Sequence, residues 1–222
     1  MLRNYVLWGA LVGCFLSVAA CYPGELDTVA QTDLVITFHK QDADFQANQT
    51  FAMPDSIVDV SVAAGADTTL THAYDAQILL RVQQELEDMG YTRVVDTTVQ
   101  TDVIVLVSAI TVENYAYYTP GYPWYPYWGW WGGWGPYSSY GVGSNWYYPW
   151  YPVYTTNFTS GSLFITMIDP DVPPPDTSQG VGMAIWSAVI NGMLEGTDPE
   201  ILARINSSLS QAFLQSPYLA IQ

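Results

Sequence analysis

Between Glu113 and Asp169 the chain carries no Asp, Glu, Lys or Arg, although acids are frequent elsewhere. Its densest part, GYPWYPYWGWWGGWGPY from Gly121 to Tyr137, is almost wholly aromatic, glycine or proline. Tyr-Pro pairs recur at Tyr122-Pro123, Tyr125-Pro126, Tyr148-Pro149 and Tyr151-Pro152. Proline lacks the backbone donor and clashes with the preceding turn, so this segment cannot be a regular helix. Residues 114–158 therefore read as one long loop insertion, joining a strand that ends near Val112 to one that begins near Gly161. Loops of such length are normally functional or disordered. The flanking regular elements must close into one domain around this excursion.

The flanks supply those elements. Asp33 to Phe38 has the β-branched and aromatic content of a strand. Asp44 to Asp55 reads as a turn, a short extended segment and a proline stop, and Ser56 to Val62 as a further short strand. From Thr69 to Met89 the period changes, with Ala73, Ile78, Leu79, Val82, Leu86 and Met89 recurring at helical spacing and Gly90 as C-cap. Strands follow over Tyr91–Val95 and Thr101–Val112, then beyond the insertion over Ser162–Ile168 and Met183–Ile190. Asp198-Pro199-Glu200 opens a last helix, with Asp198 read as N-cap. Its apolar face is Ile201, Leu202, Ile205, Leu209, Phe213 and Leu214, and Pro217 ends it. Short links between these elements suit antiparallel neighbours. The expected fold is α+β, a two-layer sandwich of a mostly antiparallel sheet of four to six strands with two helices on one face.

Residues 1–20 read as a lipoprotein signal peptide: basic Arg3, an apolar run from Tyr5 to Leu16 too short for a bilayer, and small residues before a cysteine. Val18-Ala19-Ala20-Cys21 resembles the bacterial lipobox, which makes Cys21 the expected lipidation site and mature N-terminus. Cys14 leaves with the signal, so no disulfide can form within the mature chain. Several acyl chains on one residue give a durable membrane anchor. Residues 21–32 then form a tether and 33–222 a single domain. Tyr22 stands where inner-membrane lipoproteins usually carry Asp, so the expected location is the outer membrane, facing the periplasm or the surface.

The formal charge of −16 becomes −17 once Arg3 is removed with the signal. Such a chain is no partner for nucleic acid, which needs a basic footprint. Nor does it suit anionic lipid head groups, which leaves membrane attachment to the anchor. The insertion supplies the candidate binding residues: Trp124, Tyr127, Trp128, Trp130, Trp131, Trp134, Trp146 and Trp150. Four uses compete: a low-complexity loop that is mobile or lies over the sheet's open face, contact with an envelope protein or a second copy, stacking on glycan or peptidoglycan sugars, and insertion among lipid head groups. An exposed aromatic patch of this size calls for a partner.

No catalytic constellation stands out, and the chain is expected to be non-enzymatic, without cofactor or metal. His39 and His72 have no neighbouring thiol or second histidine to complete a zinc site. Asp169, Asp171 and Asp176 lack the oxygen-ligand spacing of a calcium loop and read as turn residues. Asp102, Glu85, Glu87 and Asp88 read as solvated face. Gly180-Val181-Gly182 precedes a strand, with no basic residue to complete a phosphate cradle.

The ordered set Asp44-Phe45 with Thr50-Phe51-Ala52, Leu86 with Gly90-Tyr91, Thr101-Asp102-Val103, Gly161-Ser162-Leu163 leading to Asp169, Ile185-Trp186, and Phe213 to Pro217 resembles bacterial envelope lipoproteins known as the DUF4136 family, a domain of unknown function. Met53 and Met89 depart from it, standing where tryptophan and a basic residue are expected. The resemblance implies an outer-membrane lipoprotein and no catalytic residue.

Overall fold

The computed structural model describes residues 34–59, 71–96, 98–110, 146–147, 162–172, 182–191 and 197–221. All belong to one compact unit, Asp33–Gln222. The strands are β1 (Leu34–His39), β2 (Thr50–Ala52), β3 (Val58–Asp59), β4 (Thr92–Arg93), β5 (Val103–Ile110), β6 (Trp146–Tyr147), β7 (Ser162–Asp169) and β8 (Gly182–Asn191). The helices are α1 (Asp75–Asp88) and α2 (Asp198–Leu214). Six strands form one mixed sheet in the order β1-β8-β7-β5-β2-β4, with two-residue β3 on β5 and β6 on β8.

The long pairs β1/β8, β8/β7 and β7/β5 are antiparallel. The short strands β2, β3, β4 and β6 all pair in parallel. The fold is thus the expected α+β class, with a parallel wing that the short links did not suggest. Parallel neighbours need a crossover between them, and α1 supplies one between β2 and β4.

Register assigns the faces. Ala109, Leu163 and Ile190 form one row across β5, β7 and β8; Val107, Ile165 and Ala188 form the next; Val105, Met167 and Trp186 form the third. These side chains join Ile78, Leu79, Val82 and Leu86 of α1 and Ile201, Ile205, Leu209 and Phe213 of α2 in one buried core. Both helices therefore cover the same, inner face. A bulge in β8 places Trp186 opposite Met167 but Ala184 opposite Ile168. The extra residue, Ile185, lets two consecutive side chains, Ile185 and Trp186, enter the core together. Trp186 is fully buried, donates from Nε1 to Ser216 Oγ at 2.9 Å and packs on Phe213 with ring centroids 5.3 Å apart.

The helix ends are set locally. Met89 is the C-cap of α1, and Gly90 lies one residue beyond it at φ +102°. A Cβ there would stand 2.7 Å from Ile221 Cγ1, so glycine answers both the left-handed backbone and the close approach of the C-terminal segment. The N-cap of α2 is Thr197 rather than Asp198: its backbone N–H and hydroxyl both donate to Glu200 Oε2, which moves Pro199 to the second helical position. Leu214, read as part of the apolar face, is 75% exposed. Ala212, two residues back and so about 200° away around the helix, is buried instead.

The outer face of the sheet is buried too. Its rows are Ser108, Phe164 and Val189; Leu106, Thr166 and Ser187; and Ile104, Ile168 and Ala184. All are buried except half-buried Val189. This explains why β5, β7 and β8 read as near-continuous apolar runs rather than alternating ones.

Candidate functional site

Cys21 and the insertion residues Trp124, Tyr127, Trp128, Trp130, Trp131, Trp134 and Trp150 lie outside the described residues. Trp146 is the exception, because Trp146 and Tyr147 form β6, pairing in parallel with Gly182 and Met183. The sequence reading of 114–158 as all loop is corrected at that point. Adjacent aromatics favour extended backbone. The insertion is rooted between neighbouring strands, with Ile110 at the end of β5 paired to Ser162 at the start of β7.

The densest polar grouping among the described residues lies at the other end of these strands. Asp102 reads as solvated face from sequence, but the structure makes it a clamp. Its Oδ2 accepts from the Gln49 N–H at 2.9 Å, the Thr50 N–H at 2.8 Å and the Thr50 hydroxyl at 2.7 Å, and its own N–H donates to Thr50 Oγ1 at 3.0 Å. The carboxylate thereby fixes where β2 meets β5. Burial alone would raise its pKa; the Thr50 hydroxyl and the two N–H donors outweigh that and hold it below the ordinary value. The absence of any basic residue near Asp102 in sequence offered no signal for this role.

Asp169, at the end of β7, behaves oppositely. Its Oδ1 accepts from the N–H of Asp171 at 2.9 Å and of Val172 at 3.2 Å, the turn role expected of it. Burial nevertheless dominates those bonds, and with the neighbouring Asp171 charge it raises the Asp169 pKa. Among the described residues no group of three or more His, Cys, Asp or Glu side chains is placed to hold a metal ion.

The two histidines serve separate local roles. His39 stacks on Tyr218, ring centroids 4.1 Å apart. His72 Nδ1 lies 2.7 Å from Asp75 Oδ2, which also accepts from the Ile57 N–H at 3.0 Å and so ties the start of α1 to the segment before β3. Arg81 donates to Ser210 at 2.7 Å, bridging α1 and α2. No helix among the described residues is long and apolar enough to cross a membrane.

A mixed sheet with two helices on one face, a carboxylate clamp at one end and an aromatic insertion rooted at the other defines the class of domain. The chain belongs to the DUF4136 family, a domain of unknown function, whose model matches residues 35–218. It is similar to the crystal structure of a DUF4136 family protein from Bacteroides thetaiotaomicron, at 26% identity and TM-score 0.58, covering 85% of this chain and 97% of that one. A PelC dodecamer structure from Paraburkholderia phytofirmans matches at 14% identity and TM-score 0.37, over 86% of this chain and 99% of that one. A PDZ domain protein from Parabacteroides distasonis matches at 16% identity and TM-score 0.39, over 84% of this chain and 36% of that one. No curated protein matches significantly.

Proposed function

We propose that the protein is a non-catalytic lipoprotein of the bacterial outer membrane, tethered through Cys21, that contacts an envelope protein through its Tyr/Trp insertion. The observation that carries this reading is the charge-free, Trp- and Tyr-dense run from Gly121 to Tyr137 in a chain of formal charge −16. Its root supports the same reading: the insertion leaves and re-enters the sheet on paired positions, Ile110 and Ser162. A rigid support presenting aromatic side chains is the usual basis of a binding hot spot.

In-cell crosslinking from a photoreactive residue at Trp130 tests it. A discrete adduct with one envelope protein is expected, and replacing Trp124, Trp128 and Trp134 by alanine is expected to weaken capture at least about 30-fold, a loss of about 2 kcal/mol. Adducts spread over many proteins, unchanged by those substitutions, would overturn the reading. Saturable tryptophan quenching by peptidoglycan fragments, with no protein adduct, would identify a glycan-binding module instead.

A further inference from the structure

Strand β1 lies at one edge of the sheet and, among the described residues, pairs only with β8. Edge strands are normally blunted by shortness, a bulge, proline or charge, because a row of unpaired backbone groups recruits further strands. The opposite edge follows that rule, since β4 is two residues long and carries Arg93. β1 does not. Its six residues, Leu34 to His39, include no proline and no Asp, Glu, Lys or Arg, and their register on β8 runs without a shift. Leu34 is 46% exposed, and Val35 to Phe38 are only partly buried. We infer that β1 is a self-association edge, which pairs antiparallel with β1 of a second copy about a twofold axis at Thr37.

The backbone sets the register. Lys40, directly after β1, donates its N–H to the Ile185 carbonyl at 2.9 Å and so continues the β1/β8 ladder. In an antiparallel pair the residues that bond the neighbour alternate along the strand. Leu34, Ile36 and Phe38 therefore turn their N–H and C=O groups to β8. Val35, Thr37 and His39 turn theirs outward, where no backbone group of the described residues meets them. Against a second copy of the same strand, one arrangement uses all three positions: Thr37 opposite Thr37, and Val35 opposite His39. Every outward N–H of either copy then meets an outward C=O of the other. Sliding the pair by two residues leaves an outward N–H at one end of each β1 without a partner in the other.

Side chains agree with that register. Val35 packs against the core, so Thr37 lies on the inner side and Ile36 and Phe38 on the outer side. Thr37 then faces Thr37, and Ile36 faces Phe38 of the other copy; hydroxyl pairs and β-branched against aromatic pairs both favour strand pairing. A single strand thus supplies both halves of an isologous interface, which is why a second copy is the occupant. Charge points the same way. In a chain of formal charge −16, β1 lets two molecules meet without opposing carboxylates along the strands, and Lys40, the only lysine, falls opposite Leu34 at each end. The interface uses neither Cys21 nor the aromatic insertion, so the inference goes beyond the proposed function and leaves the insertion for its own partner.

The test is sedimentation equilibrium of the full chain with Cys14→Ser and Cys21→Ser, so that neither lipid nor native thiol contributes. A reversible monomer–dimer equilibrium is expected; a chain that stays monomeric at every soluble concentration would overturn the inference. Because position 37 meets itself, Thr37→Lys and Thr37→Glu are each expected to weaken dimerisation at least about 30-fold, and an equimolar mixture of the two is expected to dimerise again. A dimer indifferent to both substitutions, or two monomeric variants that stay monomeric when mixed, would refute it. Should a charged variant fail to fold, Thr37→Cys in the same background decides. Its Cα stands about 5.5 Å from its counterpart across the axis, within disulfide reach, whereas that of Val35→Cys stands about 14 Å from its own. Oxidation is expected to link Thr37→Cys chains at least about 10-fold faster than Val35→Cys chains, and equal rates would contradict the register. Repeated in cells, a Thr37→Cys adduct to a different protein, with no covalent dimer, would show another strand on this edge and overturn the inference as well. Partner capture from Trp130 is read separately, so either proposal can fail alone.

Discussion

Trp186→Ala is expected to remove most of the stability of the domain. Trp186 is 0% exposed, stacks on Phe213 and bonds Ser216, which is itself fully buried. Truncating a buried tryptophan costs about 3–5 kcal/mol through lost transfer energy and the cavity left behind. The Ser216 hydroxyl keeps the Tyr218 O–H as a donor at 3.2 Å, so losing the Trp186 bond adds at most about 1 kcal/mol more. Total stabilities lie near 5–15 kcal/mol, so the melting temperature is expected to fall by roughly 10 °C or more. Trp186→Phe keeps the ring packing and loses the hydrogen bond, so its cost is expected to be well under half. Thermal melts of the two variants make the comparison. A loss below about 1 kcal/mol for Trp186→Ala would mean that the bulge at Ile185 does not drive this side chain into the core.

The second large effect is a pair of opposite pH dependences at one end of the sheet. The folded-state pKa of Asp102 lies below its unfolded value. Its contribution is therefore fully present above the unfolded pKa, near 3.8, and is lost as pH falls through the lower folded value. Asp102→Asn is expected to cost about 1–2 kcal/mol at neutral pH, solvent access keeping the figure below that of a fully buried clamp, and almost nothing in strong acid. Asp169 has the reverse sign, because burial raises its folded pKa. Its contribution is complete below the unfolded value of 3.8 and is lost as pH rises through the raised folded value. Asp169→Asn keeps an oxygen for the Asp171 and Val172 N–H groups and removes the buried charge. It is expected to gain stability relative to the parent chain as pH climbs from about 3 to 7. Denaturant midpoints of both variants from strong acid, about pH 2, to about pH 7 give the result; parallel trends would contradict the assignment.

The residues that announced themselves in sequence are those whose structure is decided locally. The spacing of Ile78, Leu79, Val82 and Leu86 and of Ile201, Ile205, Leu209 and Phe213 located both helices and their buried faces, because a helix is closed by contacts within a few residues. Gly90, read from sequence as the C-cap, lies one residue beyond the cap, Met89, so the helix end was located to within a residue. The order β1-β8-β7-β5-β2-β4 was not legible, since its pairings join residues such as Leu34 and Asn191 from opposite ends of the chain. Apolar runs over β5, β7 and β8 are compatible with either neighbour. Asp102 hid its role because its partners are backbone N–H groups and a threonine, which leave no charge pattern. The bulge at Ile185 likewise depends on register with β7, and β6 on a strand far along the chain. Of the candidate binding residues, composition alone picked out the aromatic run, and only Trp146 has a described place in the sheet.

The proposed place at the outer membrane requires an anchor on Cys21, and metabolic labelling with radioactive palmitate followed by membrane fractionation tests that directly. The parent chain is expected to take up label and sediment with the outer membrane, while Cys21→Ser takes up none and is released from the membrane. Label on the Cys21→Ser chain, or a soluble parent chain with an unmodified amino terminus, would contradict it.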